Sequence, residues 1–82
     1  MSNAVAYFWR NDQVEVVQGM PDFRQSSMLK YLYCHCVVIN EHGRQYHGFY
    51  DQTENFKIGW MPYNIKGFDP EFRLALLLLG VT

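Results

Sequence analysis

Apolar residues run through Val5, Ala6, Tyr7, Phe8 and Trp9, give way to polar Arg10, Asn11, Asp12 and Gln13, and return at Val14, Val16 and Val17. β-Branched and aromatic side chains on both sides of a polar turn predict a hairpin over 5–17. Gly19 and Pro21 end the pattern, and residues 20–27 follow no period, so a loop or a single helical turn is expected there. Residues 28–39 are almost continuously apolar or aromatic. Turn formers at 40–44 separate them from Gln45, Tyr46, His47, Gly48, Phe49 and Tyr50, which predicts a second hairpin over 28–50. A polar connection follows, and then Phe56, Ile58 and Trp60 alternate with Lys57, Gly59 and Met61 until Pro62, a strand over 56–61.

The last element is a helix over 70–79. Asp69 suits the N-cap, Pro70 the first helical position, Glu71 the positive helix end, and Gly80 the stop. Strands followed by one helix predict an α+β fold: an antiparallel sheet of four to five strands with the C-terminal helix packed on one face. No repeat or linker interrupts the chain, so residues 1–82 are expected to form one small domain. Ser2, Asn3 and Ala4 look like an expression scar and are equally compatible with a native start, so they stay outside the fold argument.

At 100° per residue, Phe72, Ala75, Leu76 and Leu79 share one stripe with Leu78 at its edge, which suits docking on a sheet. Leu74, Leu77 and Val81 fall on the other side, where a surface helix normally shows charge. Either loops from the first half cover that side, or it is a subunit or partner interface. A homodimer with the helix near its two-fold axis is the simplest way to bury it.

Composition narrows the functions. An 82-residue chain that is 49% hydrophobic and 18% charged is too apolar for disorder and too short for a two-domain enzyme. Its core alone leaves a thin stability margin. Seven cations against eight anions make no basic field, so nucleic acid is a disfavoured partner. With no signal peptide and no apolar run of membrane-spanning length, the expected location is the cytoplasm and no membrane partner is expected. Both cysteines lie in Cys34-His35-Cys36, two apart on one strand, and are expected to be free thiols.

Three candidate surfaces follow. If His42 and Gly43 form a two-residue turn, Val38 faces His47 and Cys36 faces Phe49, which brings His47 toward Cys34 and Cys36 as a weak zinc or thiol cluster. The C-x-C spacing and the missing fourth ligand argue for ordinary buried cysteines instead, so no metal or other cofactor is expected. The same register sets Tyr31, Tyr33 and His35 beside Tyr46 and Tyr50 on the opposite face. This tyrosine face serves as a base-stacking platform, as protein-binding anchors, or as the seat of the helix. Leu74, Leu77 and Val81 form the third surface. The expectation is a small non-enzymatic protein-interaction module, a homodimer or a component of a larger assembly. The rivals are a single-strand nucleic-acid binder using the tyrosine face and a small zinc or thiol protein.

Overall fold

The computed structural model describes residues 3–22, 24–49, 61–62 and 70–81. The order of elements is β1 (Val5–Arg10), β2 (Gln13–Gln18), a 3-10 helix (Ser26–Tyr31), β3 (His35–Ile39), β4 (Gln45–Phe49), the two-residue β5 (Met61–Pro62) and α1 (Pro70–Leu78). The strands form one antiparallel sheet in the order β2-β1-β3-β4-β5, with α1 packed against it, the expected α+β arrangement.

The hydrophobic pattern explains why β1 and β3 lie inside the sheet. Strands that carry apolar residues at successive positions need cover on both faces, whereas β2 carries polar Gln13, Glu15 and Gln18 and can take an edge. One face gathers Ala4, Ala6, Phe8, Cys36 and Val38 under Met28 and Tyr31 of the 3-10 helix. The other gathers Val37 under Phe72 and Leu76 of α1, with Tyr7, Trp9, Val14 and Ile39 around them. The sheet is thus the middle layer of three. A 3-10 helix has three residues per turn, which is why Met28 and Tyr31 come down on the same side. Ala4, which the sequence reading set aside, is buried, and its carbonyl accepts the Gly19 N–H at 2.7 Å.

Both hairpins are shaped by their turns. Asn11 and Asp12 have φ of 53° and 59°, a two-residue turn of type I′ that matches strand twist. The second hairpin corrects the expected register. The Gly43 N–H bonds to the Asn40 carbonyl at 3.0 Å, the Asn40 N–H to the Arg44 carbonyl at 2.9 Å, and Gly43 has φ 77°. This is a three-residue loop closed by a left-handed glycine, and Asn40 Oδ1 braces it by accepting the N–H groups of His42 and Arg44, each at 2.9 Å. The extra loop residue slides β4 by one position, so Val38 pairs with Tyr46 and Cys36 with Gly48.

The first strand of the hairpin expected over 28–50 is also corrected, since it begins only at His35. Tyr31 to Cys34 is a tight turn, with the Cys34 N–H on the Tyr31 carbonyl at 2.9 Å and Tyr33 at φ 63°. An unbroken apolar run has no phase, so composition could not separate its helical half from its extended half. Of the strand expected over 56–61, only Met61 lies within the described residues, together with Pro62 paired to β4. Asp69 lies outside them.

The end of α1 accounts for Val81. The Gly80 N–H bonds to the Leu77 carbonyl and the Val81 N–H to the Leu76 carbonyl, both at 3.0 Å, with Gly80 at φ 76°. This Schellman turn reverses the chain and packs Val81 against the cluster of Val37, Phe72 and Leu76. Continuing the helical wheel placed Val81 on the outer side, and the helix stops before that geometry applies. A methyl group at position 80 would meet open space, so only the left-handed backbone resists it. Gly80→Ala is therefore expected to destabilise by about 1 kcal/mol, the order of the left-handed penalty, measured as a shift in the urea midpoint.

Candidate functional site

The outer side of α1 is the largest run of exposed apolar side chains among the described residues. Phe72 and Leu76 are buried, whereas Leu74 is 57% exposed, Leu77 50% and Leu78 81%. Leu79 and Leu78, assigned by sequence to the inner stripe and its edge, are both exposed. Of the two alternatives for the outer side, cover by loops from the first half is not seen among the described residues. The segment around Met28 covers the opposite face of the sheet. Leu74 and Leu77 therefore stand where the sequence put them, and Val81 does not.

The tyrosine face is not assembled. Tyr31 is buried, stacked on Phe8 with ring centroids 4.2 Å apart, and its hydroxyl donates to Glu15 Oε1 at 3.4 Å. Tyr33 is exposed on the turn, outside any strand. Tyr46 pairs with Val38 and so belongs to the cysteine side of the sheet. Tyr50 lies outside the described residues. The face away from the cysteines is the seat of α1, one of the three uses expected for it.

The cysteine pair is assembled, since Cys34 packs against the cluster that holds Cys36, but the strand register differs from the one expected for His47. Cys36 is buried under the 3-10 helix, and Cys34 precedes β3 with its thiol 3.8 Å from the Leu32 carbonyl. His47 registers against Val37, in the alternate set to Cys36 and Val38. Among the described residues no three of His, Cys, Asp or Glu gather as a metal site would require. Burial pushes the Cys34 thiol up, Arg10 partly opposes this, and Glu15 adds to it. A thiol raised in this way is a poor nucleophile near neutral pH.

Two features escaped the sequence reading. Arg10 ties three elements together, donating from Nη1 to Glu15 Oε2 at 3.1 Å and from Nε to the Lys30 carbonyl at 3.0 Å. The Glu15 carboxylate is thereby held between Arg10 and Tyr31. No local spacing announces this, because residues 10, 15 and 31 meet only once the 3-10 helix has crossed the sheet. The second is an apolar depression of about 280 Å³ on the cysteine side, lined among the described residues by Met20, Val38, Asn40 and Tyr46. The Asn40 and Gly43 loop chemistry was its available signal, since it sets the register that carries Tyr46 beside Val38.

Among the described residues no helix is long and apolar enough to cross a membrane. No family model, curated protein or solved structure matches this chain.

Proposed function

We propose that this chain is a small protein-interaction module that acts by binding rather than by chemistry, with a second copy of itself as its first partner and a larger assembly as the wider setting. The observation that carries this reading is the leucine side of α1: Leu74, Leu77 and Leu78 lie in the open on a helix anchored by Phe72 and Leu76. Contiguous exposed apolar side chains on a small domain mark interaction sites. Two free thiols, Cys34 and Cys36, fit a reducing compartment, and we place the protein in the cytoplasm. The base-stacking alternative loses support with the tyrosine face, and the zinc alternative with the cysteine and histidine register.

Light scattering on purified protein is expected to give a dimer. Leu74→Glu or Leu77→Glu should weaken it at least tenfold, about 1.4 kcal/mol or more, while the circular dichroism spectrum is kept because both side chains are exposed in the protomer. A wild-type chain that stays monomeric at high concentration would sink the self-association.

A further inference from the structure

We infer that the second copy joins at the outer edge of β2, so that the two sheets run on as one with Val16 on the two-fold axis. The inference rests on the self-association proposed above and specifies its geometry. α1 alone offers little surface to a dimer. Its nine residues span about 14 Å and a helix is about 10 Å across, far less surface than the ~800 Å² each partner buries in a stable interface. A further surface must contribute. The strand that α1 packs against, β2, ends the sheet.

The backbone of β2 is ready to pair. The two-residue turn makes Arg10 and Gln13 a hydrogen-bonded pair, and the Gly19 N–H on the Ala4 carbonyl confirms the same parity at the far end. Gln13, Glu15 and Val17 therefore spend their backbone groups on β1. The N–H and C=O groups of Val14, Val16 and Gln18 point outward, and no strand among the described residues takes them up. Natural edge strands are usually blocked by lysine, proline or a bulge. β2 has neither residue, and its unbroken register with β1 leaves no bulge. Its one charge, Glu15, is turned inward to Arg10 and Tyr31.

Charge selects the register. An axis at Glu15 would oppose two carboxylates, a destabilising pair. An axis at Val17 would leave Val14 without a partner. With the axis at Val16, Val16 meets Val16 of the second copy, Val14 meets Gln18, and Glu15 faces Val17, so all three outward residues are used and no like charges meet. Directly opposed residues share a face, so both α1 helices then lie on one side of the joined sheet, where each can help to cover the other's exposed leucines. Val16, half exposed in the protomer, becomes buried.

Three variants test this in the 82-residue chain carrying Cys34→Ser. Val16→Cys should form a disulfide-linked dimer under mild oxidation, while Gln13→Cys, far from the axis, should not. Val16→Pro removes only an outward N–H, which an edge strand tolerates, and should lower the mass in light scattering from two chains to one with an unchanged circular dichroism spectrum. A dimer that Leu74→Glu disrupts, but that Val16→Pro leaves intact and Val16→Cys fails to cross-link, would overturn the strand pairing and leave the helix-mediated reading standing. A monomeric wild type would overturn both. If Val16→Pro fails to fold, the cross-link still decides.

Discussion

Phe72→Ala is expected to destabilise the protein by about 3–5 kcal/mol, in the range for deleting a buried ring. Phe72 is fully buried, lies stacked against Trp9 with centroids 5.5 Å apart, and packs with Val37 and Leu76. It is one of only two buried side chains in α1. A helix of nine residues does not persist alone in water, so loosening this anchor should melt α1 together with its leucine surface. An 82-residue chain has about 4–12 kcal/mol of total stability on the usual per-residue scale, and the loss is a large share of it. Urea unfolding followed by far-ultraviolet circular dichroism should show a lower midpoint and less helical signal, and dimer formation should vanish with it. Leu78→Ala, at a position 81% exposed, should stay within about 0.5 kcal/mol of wild type. A loss below about 1 kcal/mol for Phe72→Ala would show that the ring is not the anchor.

Alkaline pH should destabilise the fold through Cys36. Burial pushes this thiol up to about 12, the Cys34 charge adds to the shift, and a backbone hydrogen bond from Gly48 partly offsets it. In the unfolded chain the thiol ionises near its ordinary value of 9.0. Between those two values the unfolded state releases a proton that the folded state keeps. The contribution of Cys36 is thus fully present below pH 9 and is lost as pH rises toward 12, at about 1.4 kcal/mol per pH unit, reaching a few kcal/mol. Tyrosines and lysines also titrate in this range, so the comparison is with Cys36→Ala. The variant should be less stable at neutral pH because of the lost packing, and the gap should narrow or reverse by pH 10.5. A gap that stays constant from pH 7.5 to 10.5 would show that the thiol ionises as easily folded as unfolded.

The first hairpin and the C-terminal helix, both set by neighbours in sequence, were legible. The polar pair Asn11 and Asp12 between two β-rich runs is enough to turn the first hairpin. Pro70, Glu71 and Gly80 bound a helix from either end, and the spacing of Phe72 and Leu76 marks its inner side. The absence of charge at Leu74 and Leu77 can be read directly and sets them apart as a surface seeking cover, whereas Leu78, expected at the edge of the inner stripe, is exposed. These are local decisions of capping, turn chemistry and period.

Tertiary structure decided what local signals leave degenerate. One extra residue in the loop over 41–43 moves β4 by one position, and because side chains alternate along a strand, that single step removes Tyr46 from the tyrosine face and registers His47 against Val37 instead of Val38. The apolar run over 28–39 had no period to divide it, so only packing on Phe8 and Cys36 made its first half a 3-10 helix. Val81 changed sides because the Schellman bonds formed, and Glu15 became an inward-facing charge because Arg10 and Tyr31 reached it from elsewhere in the chain. Sequence alone determined the first hairpin, the bounds of the C-terminal helix, and the surplus of Leu74 and Leu77 on its outer side. The faces they share depended on register and crossing, which are set by contacts between residues distant in the chain.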